Sequence, residues 1–132
     1  MEGPVIVFES YKLNKYNFEK KDNVDYQETT EEKEKDNISL SVETGTTEDL
    51  KSGRVTVNVE VQNEEMKLNI EVSGFFSINI ETSADEITKF LTVNGTAIVF
   101  PYIRSMVSML TSLDSSQALI LPTINTQNLL NK

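Results

Sequence analysis

Residues 55–72 read VTVNVEVQNEEMKLNIEV, and the alternation in this run decides the fold class. Val55, Val57, Val59 and Val61 alternate with Thr56, Asn58 and Glu60; after the short connection QNEE, Met66, Leu68, Ile70 and Val72 alternate with Lys67, Asn69 and Glu71. Successive side chains of a strand point to opposite faces, so period two gathers the apolar set on one face and the polar set on the other. A connection this short joins antiparallel neighbours, which predicts a hairpin. Gly74 interrupts the second strand, where a glycine marks a bulge or bend, and FFSINI (75–80) continues the extended pattern.

Working outward, ISLSV (38–42) alternates strictly and reads as a half-buried strand. Val5, Val7, Tyr11, Leu13, Tyr16 and Phe18 mark an extended first segment whose alternation is imperfect. Between them, YQETTEEKEKDN (26–37) is polar and mixed in sign, a solvated loop, with an acidic binding patch as the alternative. TGTTEDLKSGR (44–54) is a loop by composition.

At Ser83 the pattern changes from strand to helix. SADE fits a capping box with Ser83 as N-cap and Glu86 at N3, and Ile87, Phe90 and Leu91 follow at helical spacing. Asn94-Gly95 is expected to end this helix. VFPYIRSMVSMLTSLDSSQALILP (99–122) then reads as an apolar helix followed by an extended segment, with Pro101 expected in the first turn. Strands followed by helices predict one α+β domain over 1–132, with helices on one face of an antiparallel sheet.

The second helix is unusual for an acidic chain. Ile103, Met106, Val107, Met109, Leu110 and Leu113 cover more than half its circumference, and the rest is Arg104, Ser105, Ser108, Thr111 and Ser112. Burying one large apolar side chain is worth about 1.5–3 kcal/mol. Leaving several wet would cost as much as the net stability of a whole domain, about 5–15 kcal/mol. Self-association is therefore expected, since little chain follows to cover the helix from within.

Composition narrows the function classes. The chain has 132 residues, 12 Lys and Arg against 21 Asp and Glu, a formal net charge of −9, and neither cysteine nor histidine. Disulfides, thiolate zinc sites and imidazole bases are thereby excluded. Catalysis would have to rest on carboxylates, lysines or hydroxyls; carboxylate pairs such as Glu64 with Glu65 or Asp85 with Glu86 are candidates, but the first lies in a polar turn and Glu86 is engaged in capping. No glycine-rich phosphate loop occurs. No enzyme, metal or cofactor is expected. The acidic excess disfavours nucleic acid. The acidic start MEGPVIVFES, without a basic n-region, and the lack of a long apolar run predict a soluble cytoplasmic protein with no membrane insertion.

The segments GFFSINI, VFPYIRSMVSMLTS and QALILPTINTQNLL, in this order and spacing, resemble the SecB family of protein-export chaperones. The family carries an FSI after its central hairpin, an FPYAR entering its long helix, and an L-x-L-x-P-[VI]-N segment before a C-terminal helix. Here these are Phe76 to Ile78, Phe100 to Arg104, and Leu119 to Asn125. The resemblance implies a four-stranded antiparallel sheet crossed by a long helix, with a short C-terminal helix. It also implies a homotetramer built as a dimer of dimers, whose long helices pack together; Tyr102, Met106, Met109 and Leu113 would form that interface.

By the same resemblance the protein would hold unfolded or export-competent polypeptides in apolar grooves without ATP. Phe75, Phe76, Ile78, Leu119, Leu121 and Ile124 are the candidate client contacts, with an ordinary core role as the alternative for each. Alternation keeps Phe75 and Phe76 from entering the same core, so one of the pair leads. Glu19 and Glu71 match acidic positions that in the family dock the basic tail of the motor SecA. Lys15 and Asn69 stand where an acid and a leucine are expected. That departure opens two alternatives: a SecB-like chaperone guarding the antitoxin of a toxin–antitoxin pair, or a non-chaperone oligomeric adaptor sharing the fold.

Overall fold

The computed structural model describes residues 4–20, 37–113 and 119–131. Its centre is the expected hairpin, β3 (Ser52–Gln62) and β4 (Met66–Ile78), paired antiparallel with Val61 opposite Leu68 and Val55 opposite Gly74. The side-chain oxygen of Asn63 closes the turn, accepting from the backbone N–H groups of Glu65 at 2.8 Å and Met66 at 2.9 Å. All of the alternating apolar residues, from Val55 to Val72, are buried on one face.

Strand β1 (Ile6–Lys20) pairs with β4 and β2 (Asn37–Thr46) with β3, giving the antiparallel order β1-β4-β3-β2. The irregular alternation of β1 has a structural cause. Its register slips between Phe8 and Ser10 and again between Leu13 and Lys15, so Glu9 and Asn14 are bulged residues. Each bulge adds one residue and reverses the phase. Hence Ile6 and Phe8, Tyr11 and Leu13, Tyr16 and Phe18 all come to the same face, opposite the buried positions of β4. The bulges lie here, and the expected irregularity at Gly74 is absent. Gly74 pairs regularly with both neighbours and does not have a positive φ. A Cβ there would collide with Cγ2 of Val99, so this glycine allows a helix to lie close to the sheet.

The loop expected at 44–54 is shorter than composition suggested, because Thr44 to Thr46 and Ser52 to Arg54 belong to strands. What remains is a tight turn with Leu50 at φ 58°, in the left-handed region. Thr47 and Asp49 fasten it: Thr47 Oγ1 donates to Asp49 Oδ1 at 2.6 Å, and the Lys51 N–H donates to the same oxygen at 3.0 Å. The polar stretch 26–36 lies outside the described residues.

Helix α1 (Ala84–Phe90) begins as expected, with the Ser83 hydroxyl accepting from the Glu86 N–H at 3.2 Å. The expected stop at Asn94-Gly95 does not occur. A π turn (Leu91–Gly95) joins α1 directly to α2 (Thr96–Thr111), and Gly95 is right-handed helical. Its lack of a side chain serves packing, since a Cβ would lie 2.7 Å from Cγ2 of Val55. Pro101 is consequently inside α2 and not in a first turn. Ala97, whose carbonyl loses its donor to the proline, is exposed. The π turn has a geometric use. Contacts repeated every fourth residue, as at Ile87, Leu91, Gly95, Val99, Ile103 and Val107, drift by about 40° per step around a regular α-helix. A wider turn recovers part of that drift and keeps one stripe on the sheet. Every one of these residues is buried.

After α2 the chain returns as an extended segment, residues 119–125, and ends in a 3₁₀ helix (Thr126–Asn131). This segment meets two members of the polar stripe of α2. Arg104 Nε donates to the Leu121 carbonyl at 3.2 Å, and Thr111 Oγ1 accepts from the Leu119 N–H at 2.9 Å. The rest of that stripe, Ser105, Ser108 and Ser112, lines an open groove.

Candidate functional site

The two flanks of α2 differ in what covers them. On the flank carrying Arg104 and Thr111, Leu121 is buried in the core while Leu119 and Ile124 are half-buried against it. Ile120 points the other way and is 74% exposed. It borders an open groove of about 610 Å³ with Pro101, Arg104, Ser108 and Met109. Ile120 was missed in the sequence, although the alternation of LILP carries the signal: if Leu119 and Leu121 face the protein, Ile120 faces out.

On the other flank, Tyr102, Met106, Met109 and Leu113 recur at helical spacing and form one stripe. Met106 is partly packed on the core, whereas Met109 is 62% and Leu113 81% exposed. The stripe runs beside β1. Tyr102 stacks on Tyr11 at a centroid distance of 4.6 Å and meets Phe8 at 5.5 Å, and Phe8 in turn packs on Phe76 at 5.5 Å. Tyr11 and Leu13 stay largely exposed beside it because β1 is a sheet edge. The result is an aromatic and methionine surface continuous from strand to helix. Burial also pushes the Tyr16 phenol above its ordinary pKa of 10.0, and its hydroxyl has no partner among the described residues.

The structure does not bring the six expected client residues together. Phe76, Ile78 and Leu121 are in the core. Phe76 is wedged beneath α2, its ring 3.3 Å from where a Cβ on Gly74 would sit and 3.6 Å from one on Gly95. Leu119 and Ile124 are half-buried beside α2. Phe75 is on the opposite, open face of the sheet, as strand alternation requires.

That open face is polar. Glu71 accepts from Asn14 at 3.2 Å and from Asn58 at 3.4 Å; Asn14 also donates to Ser73 at 2.8 Å, and Ser73 shares a 2.7 Å hydrogen bond with Thr56. Asn69 extends the network to Asn58 at 3.0 Å and Glu60 at 3.2 Å. In the register Glu71 stands opposite Lys15, and Glu19 opposite Lys67. The two expected docking acids therefore share one face, each across from a lysine. Among the described residues, no cluster of acids suits a metal ion, and no helix is long and apolar enough to cross a membrane.

The sequence model of the SecB family, described as Preprotein translocase subunit SecB, matches residues 8–132. The chain belongs to the SecB family. An uncharacterized protein of Methanocaldococcus jannaschii is 41% identical over 58 residues, which cover 44% of this chain and 37% of that protein. Among solved structures, the fold is similar to a SecB-like chaperone of Mycobacterium tuberculosis in complex with a peptide from the HigA1 antitoxin. The TM-score is 0.70 at 12% identity, over 90% of this chain and 87% of that one. A Streptococcus agalactiae protein of unknown function matches with a TM-score of 0.54 at 12% identity, over 89% and 97% of the two chains. The four-stranded sheet crossed by one long helix is thus the SecB-like arrangement.

Proposed function

We propose that this SecB-family protein is a cytoplasmic, non-catalytic holdase chaperone that works without ATP. In this reading it assembles as a dimer of dimers through α2 and holds extended polypeptides on its apolar surfaces. The observation that carries the reading is the stripe of Tyr102, Met106, Met109 and Leu113, continuous with Tyr11 and Leu13 on the edge strand. Several large apolar side chains at about 1.5–3 kcal/mol each favour a covered state over a wet one. Copies of the chain cover part of this surface, and what they leave open takes clients, including the groove beside Ile120.

A second reading concerns the partner. The antitoxin-guarding role is favoured over delivery to SecA by the open face. Glu71 is engaged by two asparagines, and both candidate docking acids have a lysine across the strand pair. A lysine across the strand pair from each acid lowers the negative potential that a basic tail would meet. The peptide complex of the M. tuberculosis chaperone supports an antitoxin segment as the client class.

The test is sedimentation to fix the oligomer, followed by light scattering of a chemically denatured, aggregation-prone protein diluted with and without this one. Suppression near stoichiometry without nucleotide is the expected result. A stable oligomer that leaves aggregation unchanged would refute the holdase reading and favour the adaptor.

A further inference from the structure

Phe75 is the one aromatic residue on the open face of the sheet among the described residues, and directly across the β3–β4 pair stands Arg54. Together with Gly45, Thr47, Ser52 and Gly53 they line a shallow pocket of about 260 Å³ at the end of the sheet nearest the β2–β3 turn. The guanidinium lies over Gly45, where a Cβ would sit 3.2 Å from Nη2, so this glycine makes room for it.

Arg54 has no ion pair or hydrogen bond among the described residues, in a chain whose acids outnumber its bases by 21 to 12. The acids of the same face are used elsewhere: Glu9 accepts from Ser77 at 2.8 Å, Glu71 from Asn14 and Asn58, and Glu60 from Asn69. Glu43, on the neighbouring strand, makes no ion pair with it. Among the described residues, a planar cation with no ion-pair partner thus shares a pocket with a phenyl ring, hydroxyls and glycine backbone, a polar feature that the fold's own contacts leave unanswered.

We infer that this pocket binds a carboxylate of an extended polypeptide, with the guanidinium on the carboxylate and a neighbouring apolar side chain against Phe75. Charge and size select the occupant. One cation matches a monoanionic carboxylate, whose two oxygens fit the guanidinium fork, whereas a phosphate dianion calls for more positive charge. A volume of about 260 Å³ takes one or two side chains and falls short of a cofactor, which needs about 300–1,000 Å³. The carboxylate is either an Asp or Glu side chain or a chain terminus. This site is on the opposite face of the sheet from α2 and does not depend on the chaperone reading.

The test uses the ¹⁵N-labelled full chain and three probes: an amidated, acetylated peptide Gly-Leu-Glu-Leu-Gly, its Gln counterpart, and Gly-Leu-Gly-Leu with a free C-terminal carboxylate. The expected result is shift changes at the amides of Gly45, Gly53, Arg54 and Phe75 with a carboxylate peptide. Binding should weaken by about fivefold with the Gln peptide or in Arg54→Gln, the upper range for an exposed ion pair. Whichever of the Glu and free-terminus peptides binds identifies the source. If neither the Glu peptide nor the free-terminus peptide binds more tightly than the Gln peptide, the proposal is refuted on wild-type protein alone, so a poorly folded variant does not blur the result. Shifts confined to α2, no shifts at all, or stronger competition by inorganic phosphate than by acetate would also overturn it. Because the readout is local to the open face, a failure to suppress aggregation would leave this result standing.

Discussion

Replacing Gly95 by alanine sets two opposing effects against each other at a position where both have known size. Gly95 is within the continuous helix with φ −63° and ψ −44°, so alanine meets no backbone strain and gains about 1 kcal/mol of helix propensity. Against this, the new methyl would lie 2.7 Å from Cγ2 of Val55, which has no exposed surface, and 3.6 Å from the Phe76 ring. A comfortable carbon–carbon contact is about 3.5–4.0 Å, so the helix or the valine must give by nearly an ångström. Overpacking of a closed core costs about 1–3 kcal/mol, and the steric term wins. The expected outcome is a net loss of about 1 kcal/mol, read as a lower urea midpoint and a melting temperature lower by about 3–5 °C at matched protein concentration. Gly45→Ala is the contrast. Its methyl would meet only the movable end of Arg54, and its effect should stay within about 0.5 kcal/mol. In a double-mutant cycle, Val55→Ala should restore part of what Gly95→Ala loses, with a coupling of about 0.5 kcal/mol or more. If Gly95→Ala raises stability, the close seating of the helix on β3 is wrong and the glycine is only a weak helix former.

Further outcomes follow from other contacts. Ser83→Ala removes the acceptor of the Glu86 N–H and should cost about 1 kcal/mol in denaturant unfolding; an unchanged midpoint would mean the cap contributes nothing. Thr111→Val deletes the acceptor of the Leu119 N–H with little change in shape. It should cost about 1–2 kcal/mol and speed hydrogen exchange across residues 119–124, whereas unchanged exchange would detach that segment's order from the helix. The Thr47 hydroxyl, and then the Lys51 N–H, hold the Asp49 carboxyl below its usual 3.8. A lowered folded-state pKa means the turn is reinforced at neutral pH and loses that reinforcement as pH falls through the lowered value. An NMR titration of Asp49 should show a midpoint below 3.8, and Thr47→Val should bring it back up. Met109→Lys with Leu113→Lys should reduce the sedimenting mass if α2 joins the copies, while an unchanged mass would place the interface elsewhere.

Period-two alternation over residues 55–72 determined the hairpin and its buried face, because side-chain direction in a strand is a local property of the backbone. The cap at Ser83 was legible for the same reason, as its hydrogen bond spans only three residues. What the sequence could not decide were matters of two surfaces meeting. Asn94-Gly95 has the composition of a helix end, yet Gly95 continues the helix because Val55 leaves no room for a side chain. Gly74 reads as a bulge, yet the bulges fall at Glu9 and Asn14 on the neighbouring strand, and Gly74 is needed only because Val99 crosses above it. Of the six candidate contact residues, alternation separated Phe75 from Phe76 in advance. That Phe76 is the floor beneath the helix, that Leu121 is core while Ile120 is surface, and that Phe75 stands opposite Arg54 in the sheet were settled by tertiary packing. Local spacing sets where a side chain points; only the element packed opposite sets whether it is covered, and by what.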